Sequence, residues 1–309
     1  MRSSKTMETR YAILNRKELE LARYVTEMLS HGIRSFATGW LLNDTKMTLW
    51  YGDRMGVVMS QSFDIFDEAH YLVLFLAAIF SSEMKNLGIS PFVKFPASIN
   101  KSNWYKGSTM EFEEANTEHG MVNNLKFKIG DVRRLRTDYC AVGRGTTIIP
   151  IRAIDETSRA MDFGTNDLVA KLAWPLKTRI PESTFVQTIR RRLREERRED
   201  ILKHIVDVKC SLKRTMEQMD LPRAFMDLDE SSNFDERELR CIVMPRYERL
   251  EAVNSVDEFK KIFIDVVTGM SISLARMMCT RLINLDLMQL ITACTRHLGS
   301  YIVTSVLGM

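Results

Sequence analysis

The apolar positions of the first sixty residues change from a helical spacing to an alternating one. Residues 9–31 place apolar side chains three or four positions apart, with charges between them, which predicts a helix that ends near Gly32. Residues 36–42 and 46–51 are rich in β-forming side chains and are joined by a short polar turn, and residues 57–59 follow a second turn. This pattern predicts an antiparallel hairpin with a third strand beside it.

Residues 69–80 are the most apolar stretch of this half of the chain and include no acidic or basic residue other than a histidine. Asp67 precedes them in the position of a helix N-cap, and Gly88 and Pro91 follow. Because apolar side chains surround the whole predicted helix, we expect it to be buried. Residues 97–124 are rich in Asn, Ser, Thr and Glu, which predicts a surface loop or a weakly structured insert.

The second half of the chain predicts several strands. Residues 125–129 alternate between apolar and basic side chains, and residues 140–154 and 167–174 supply β-branched and apolar runs. Residues 239–244 form another apolar run that stops at Pro245. We expect the strands over 125–150, 167–174 and 239–244 to share one antiparallel sheet.

A basic helix is predicted from Pro181, which suits a first helical position. One face is apolar, and six arginines crowd much of the rest: Arg190, Arg191, Arg192, Arg194, Arg197 and Arg198. The plainer interpretation is a solvated face that nearby glutamates partly neutralise. The alternative is a nuclear-localisation signal or a nucleic-acid-binding patch, against which the small formal net charge of +4 weighs.

The candidate chemistry is a glycine turn that precedes a lysine inside an apolar run. The turn consists of Gly143, Arg144, Gly145 and Thr146. Close glycines let a backbone approach a phosphate and direct N–H groups at it. Lys171 stands within the run 168–174, and a lysine on a buried strand needs a carboxylate or a phosphate as its partner. A glycine turn with a Val-Ala-x-Lys strand is typical of the ATP site of protein kinases, although Ile148 stands where a third glycine is usual.

Composition narrows the class of protein. A length of 309 residues suits two domains. The five cysteines are scattered and the five histidines isolated, which disfavours a disulfide framework or a zinc site. The N-terminus lacks the apolar core of a signal peptide, and the longest apolar run is too short to span a bilayer. We therefore expect an intracellular, cytoplasmic or nuclear protein without a membrane partner.

Several stretches, in their order and spacing, resemble the fungal-type protein kinase family, a divergent branch of the protein-kinase-like fold. The similarity runs from about residue 10 to about residue 270. It is carried by residues 49–56, 62–65, 87–92, 143–146, 169–174 with Arg179 and Glu182, 239–240 with Arg246 and Tyr247, and 259–267.

The resemblance implies an α+β fold in three parts. Residues 1–124 would form a family-specific N-terminal α+β region, packed on the part that follows. Residues 125–250 would form a kinase-like small lobe, an antiparallel sheet plus a helix. Residues 251–309 would supply the hinge and only the first helices of an incomplete large lobe.

The resemblance also implies ATP as the cofactor, held by residues 143–146 as the nucleotide loop and by Lys171. Met244 would lie beside the adenine, where the two lobes are linked. The carboxylate partner of Lys171 follows from the helix: at about 100° per residue, Glu182 falls at the centre of the apolar face, whereas Glu195 points away. The plainer interpretation of Glu182 is a first-turn carboxylate that favours the helix dipole.

Phosphoryl transfer in this fold also needs an aspartate in a His-Arg-Asp-like loop and a metal-binding aspartate after the large lobe begins. The chain contains no His-Arg-Asp, and we interpret Asp162-Phe163-Gly164 as a coincidence because it precedes Lys171. No Mg²⁺ ligand is therefore predicted. The resemblance implies ATP-dependent Ser/Thr phosphotransfer for the family, but we expect this chain to be an inactive, pseudokinase-like fragment, either cut short or degenerate. The alternatives are a non-catalytic module for an unknown protein partner and, less favoured, nucleic-acid binding.

Overall fold

A computed structural model describes residues 14–30, 33–97, 105, 107–130, 136–137, 139–140, 142–160, 167–202, 205–226, 235–247, 255–257 and 260–261. The chain divides into two compact units, Met1–Lys177 with Lys209–Arg246 and Thr178–Val208 with Tyr247–Met309. The three-part division expected from the sequence stays a prediction, although its first limit, between residues 124 and 125, falls within a strand.

The first unit begins with a helix and a four-stranded antiparallel sheet. They are α1 (Arg16–Ser30), β1 (Phe36–Asn43), β2 (Lys46–Asp53), β3 (Gly56–Met59) and β4 (Phe63–Asp64). The strands lie in the order β1-β2-β3, and β4 pairs with β2. Val25 and Leu29 of α1 pack on Ala37, and Gly52 leaves room for Val25, which a side chain there would overlap. The predicted helix, hairpin and third strand are confirmed.

A larger antiparallel sheet forms the centre of the first unit. Its strands are β5 (Val93–Lys94), β6 (Thr109–Thr117), β7 (Gly120–Ile129), β8 (Arg136–Thr137), β9 (Thr147–Ala153), β10 (Leu168–Ala173), β11 (Cys210–Arg214) and β12 (Leu239–Pro245). The strands pair in the succession β9, β10, β12, β11, β6 and β7, and β7 also pairs with β9. The pairings therefore close a ring, whose β11–β6 side is the single pair Ser211 and Asn116. The prediction that β7, β9, β10 and β12 belong to one sheet is confirmed.

The core of the unit lies where alternate residues of these strands meet. Phe112, Phe127, Ile149, Ala170 and Val243 are each almost fully buried within one apolar cluster. The same cluster includes Phe36 and Tyr51 from the four-stranded sheet, so both sheets share a core. Antiparallel sheets with few helices agree with the expected α+β class.

The prediction of a loop or weakly structured insert over residues 97–124 is wrong where the structure describes it, because β6 and β7 form a hairpin there. The pairing skips Glu113 and Asn124, so the inward positions change phase along both strands. Met110 and Phe112 are buried before the break and Ala115 after it, while polar side chains cover the outer face. The break hides the period of two by which a strand is recognised.

The expected burial of the apolar helix is also wrong within the described part of the chain. α2 (Ala69–Ser81) includes no buried residue, and Val73, Leu74 and Phe80 are 64%, 64% and 85% exposed. Its N-cap position is Glu68, one residue after the predicted Asp67. A helix that is apolar on every side is expected to be covered by other parts of the protein. Among the described residues, no such cover buries any residue of α2.

The remaining helices are short or belong to the second unit. α3 (Glu156–Ala160) precedes β10, and α4 (Glu182–Glu195) and α5 (Glu199–Leu202) lie in the second unit, where Leu193 and Ile201 are buried together. Most of the helix predicted from residue 256, and the apolar run after it, lie outside the described residues. None of the helices in the described ranges is long and apolar enough to cross a membrane.

Candidate functional site

Lys171 lies in the middle of β10, the third strand of the meander β8, β9 and β10. Leu168, Ala170 and Leu172 point into the buried core. Lys171 alternates with them and therefore occupies the opposite face of the strand, where it is half-buried. Ile148 of β9 is its pair on one side, so an apolar residue is its neighbour across the sheet.

Met244 shares that face. It lies on β12, which pairs with β10 on the other side, and Ile242 is the residue opposite Lys171. Because Met244 is two residues beyond Ile242, it projects to the same side of the sheet as Lys171. The backbone N–H of Arg246 donates to Asp167, 2.7 Å away, so the chain leaves β12 close to the point where β10 begins.

The glycine turn lies beside the opposite end of β10. The N–H of Trp174 donates to the carbonyl of Arg144 at 2.7 Å, which continues the ladder between β9 and β10 into the turn. Trp174 follows Lys171 by three residues, or roughly 10 Å along an extended strand. Two of the sequence-predicted groups, the turn and the lysine, therefore lie in one hydrogen-bonded segment of sheet. Met244 lies toward the other end of β10.

Glycine is required at the two positions of the turn for different reasons. Gly143 has φ +124 and Gly145 has φ +46, and side chains disfavour both conformations. A Cβ at Gly143 would meet open space. A Cβ at Gly145 would overlap the guanidinium of Arg54, so this glycine is also required by packing within the protein. The N–H of Gly143 donates to the carbonyl of Arg54 at 3.1 Å and is not directed at a phosphate.

Arg54 is the residue near this site to which the sequence analysis assigned no role. It is 2% exposed, and its guanidinium donates to the carbonyls of Leu29 and Cys140, each 2.6 Å away. From the sequence, an arginine in a turn between two short strands is expected to be solvated. The partners of Arg54 are also distant in the sequence. The signal that could have found it is its place in the stretch 49–56, which carried the family resemblance.

A buried ion pair stands next to it. Asp53 is fully buried, accepts from the hydroxyl of Tyr51 at 2.9 Å, and forms a salt bridge with Arg223. Arg223 also donates to the carbonyl of Gly56 at 3.0 Å. Burial is the main reason that the pKa of Tyr51 is raised. The network fixes the turn from which Arg54 extends, because the Asp53 carboxylate also accepts from the N–H of Met55.

Glu182 is the first residue of α4, directly after Pro181 in the N-cap position, and it is half-buried. The predicted helix start is therefore confirmed to within a residue. Glu182 and Lys171 belong to different compact units, so their pairing stays a prediction. Glu195, which the helical rotation turned away, is exposed at the last position of α4.

Some residues of the arginine-rich stretch form contacts within the second unit. Arg190 donates to the carbonyl of Ile205 at 2.9 Å and lies 3.4 Å from Asp207. Arg198 pairs with Asp200 at 3.0 Å on the surface. The plainer interpretation was a solvated face that nearby glutamates partly neutralise. The acidic partners of these two arginines are aspartates, and the side chain of Arg190 is only 11% exposed.

Asp162-Phe163-Gly164, which the sequence analysis interprets as a coincidence, lies outside the described residues. Among the residues that are described, no group of three or more His, Cys, Asp or Glu side chains is arranged to hold a metal ion.

Comparison with models of protein families gives a match to the model described as "Fungal protein kinase", over residues 6–278. This span includes the stretch 49–56, the glycine turn, Lys171 and Met244. No match was found among curated proteins or among solved structures.

Proposed function

Because the chain belongs to the fungal protein kinase family, we propose that it binds ATP through a kinase-like small lobe and does not complete phosphoryl transfer. The small lobe would be residues 125–250, the region that contains the glycine turn and the lysine strand. The N-terminal sheet and α1 would support it from residues 1–124.

One observation carries the proposal. The glycine turn lies between the first and second strands of the meander β8, β9 and β10, Lys171 is on the third, and the turn is hydrogen bonded to the end of that strand. In protein kinases a Gly-rich loop covers the phosphates, and the lysine that binds them is on the third strand. The agreement concerns both the order and the spatial contact, which the sequence motif alone does not supply.

Different residues are proposed to contact different parts of ATP. Lys171 would neutralise phosphate oxygens, and the backbone N–H groups of residues 144–146 would approach them. Gly143 is not assigned this role because its N–H is already used by Arg54. Met244, on the same face as Lys171 and close to the start of the inter-lobe link, would contact the base. Glu182 is proposed to pair with Lys171 and hold it extended.

No residue is assigned to Mg²⁺ or to proton acceptance. The sequence contains no His-Arg-Asp, and the Asp-Phe-Gly at residue 162 precedes the lysine instead of following the large-lobe helices. Metal ions and a catalytic aspartate supply much of the rate acceleration in this chemistry. Binding without turnover is therefore the function that these residues support best.

The experiment is a titration of the purified protein with a fluorescent ATP analogue. Lys171→Met is expected to weaken binding at least about tenfold, the effect of losing one charge-assisted phosphate contact worth about 1.4 kcal/mol. The matched control is Lys128→Met, which removes the same charge from an exposed position on β7 of the same sheet. Equal affinities for wild type and Lys171→Met would contradict the proposal.

The same titration separates the alternatives. A non-catalytic module for a protein partner predicts no saturable nucleotide binding. Nucleic-acid binding through α4 predicts a strongly salt-dependent affinity that falls when Arg191 and Arg194 are replaced. Arg190 is unsuitable for that test because its contacts with Ile205 and Asp207 support the local fold.

A further inference from the structure

We propose that Arg54 is a positioning residue for the glycine turn, through which the N-terminal sheet sets the conformation of the nucleotide loop. The consequence for nucleotide affinity rests on the proposed function. The contact between Arg54 and the turn does not.

Arg54 contacts the segment around the turn at three points. Its guanidinium donates to the carbonyl of Cys140 before the turn, and its own carbonyl accepts from the N–H of Gly143 inside it. Its guanidinium also fills the space directly beside Gly145. Three contacts within six residues leave this segment few alternative conformations.

The other end of the guanidinium is anchored. It donates to the carbonyl of Leu29, in the last turn of α1, where helix carbonyls lack partners within the helix. The backbone of Arg54 is held as well, because the carboxylate of Asp53 accepts from the N–H groups of Met55 and Gly56 and pairs with Arg223. The turn is thereby tied to both the helix and the sheet of the N-terminal region.

The side chain suits this task only as arginine. A guanidinium is planar and can donate from separate nitrogens to two carbonyls in different directions, whereas a lysine ammonium on its flexible stem is a compact point charge. Arg54 is 2% exposed and its donors are turned toward Leu29 and Cys140, so it is in no position to touch a phosphate itself. Its effect on nucleotide passes through the turn.

A pre-formed loop binds more tightly than one that must be ordered first. If loosening leaves the binding conformation populated about one tenth of the time, the apparent affinity falls about tenfold. The N-terminal region would then belong to the nucleotide site functionally, although it supplies no group that contacts the ligand.

The test measures the turn directly and independently of nucleotide. Cys140 is half-buried, and its thiol lies 3.7 Å from the Arg54 guanidinium, so its alkylation rate reports opening of the turn. Cys210 is buried, and burial raises the pKa of its thiol to about 12, so its alkylation reports global unfolding instead. Iodoacetamide labelling is followed peptide by peptide with mass spectrometry.

Arg54→Lys is compared with Arg240→Lys, the matched control. Both arginines are buried, but Arg240 donates to Glu238 and to the carbonyls of Leu176 and Lys177, none of which belongs to the segment 140–145. We expect Arg54→Lys to speed Cys140 labelling several-fold and to weaken binding of the fluorescent ATP analogue about tenfold, with Cys210 still slow. Arg240→Lys should leave Cys140 labelling within a factor of two of wild type.

Unchanged labelling and unchanged affinity in folded Arg54→Lys would overturn the proposal. If that variant unfolds, which fast Cys210 labelling would reveal, Gly145→Ala disturbs the same contact from the other side. It must then speed Cys140 labelling while Cys210 stays slow, and failure to do so overturns the proposal equally. If wild type binds no nucleotide, the proposed function fails, and the Cys140 rates still decide whether Arg54 holds the turn.

Discussion

The backbone N–H of Trp174 donates to the carbonyl of Arg144 at 2.7 Å, which fastens the glycine turn to the strand that carries Lys171. Two short sequence features, a Gly-x-Gly and a lysine in an apolar run, are each common by themselves. Their hydrogen-bonded arrangement on adjacent strands is far more specific, because it places backbone N–H groups and a charged amine along one segment of sheet. The proposed binding of ATP depends on that arrangement.

Loss of the buried ion pair should destabilise the first unit strongly. In Asp53→Asn the Arg223 guanidinium loses its buried counter-charge, and breaking one partner of such a pair costs about 3 to 5 kcal/mol. The measurement is urea unfolding followed by tryptophan fluorescence. Lys177→Ala breaks the surface pair with Glu236 and serves as control, with no measurable loss expected. Equal midpoints for the two variants would contradict the role given to the network.

The pairing of Glu182 with Lys171 can be tested through affinity. If Glu182 holds the lysine toward the phosphates, Glu182→Gln should weaken nucleotide binding by about 1 kcal/mol, or roughly fivefold. Glu195→Gln removes the same charge from the exposed end of the same helix and should leave the affinity unchanged. A fall of equal size in both variants would assign the effect to helix charge in general.

A carboxylate at the β2–β4 contact predicts a pH dependence of stability. The hydroxyl of Thr45 donates to Asp64 and is the main reason that the pKa of this carboxyl is lowered to about 2. Because its pKa in the unfolded chain is about 3.9, its contribution is present above that value and is lost as the pH falls from about 4 toward 2. In Thr45→Val the folded pKa should rise and this loss should shrink. Unfolding midpoints at pH 5 and pH 3 check the difference, and an unchanged difference would contradict it.

The exposed apolar surface of α2 predicts poor solubility and strong binding of hydrophobic dyes. Val73→Glu and Leu74→Glu place charges at positions that are already solvated. We expect lower dye fluorescence and higher solubility, with a melting temperature within about 2 °C of wild type, the range usual for surface substitutions. A large fall in melting temperature would instead show that other parts of the chain cover this helix.

The sequence predicted the elements whose signals are local. The hairpin of β1 and β2 follows from alternating β-forming residues around a polar turn, and β10 and β12 follow from apolar runs. The hairpin of β6 and β7 was missed because the break at Glu113 and Asn124 shifts the inward phase in mid-strand. The environment of α2 could not be predicted either, since composition does not say which surface will cover a helix.

The sequence predicted the separate residues of the candidate site but not the contacts between them. Lys171 and the glycines are visible in the sequence as isolated features, and their face and hydrogen bonds depend on the pairing of β9 with β10. The contacts of Arg54 were not predictable, because its partners, Leu29 and Cys140, meet it only after α1, the first sheet and the turn have come together. Closure of the ring by Ser211 and Asn116 is likewise a long-range pairing.

The most direct measurement is a combined binding and transfer assay with ATP labelled at the γ-phosphate, in the presence of Mg²⁺. The account predicts saturable retention of label by wild type, chased by unlabelled ATP and lost in Lys171→Met. It predicts no transfer of label to the chain or to an added Ser/Thr-rich substrate. The account is contradicted if label is not retained, or if phosphate is transferred in a reaction that disappears in Lys171→Met.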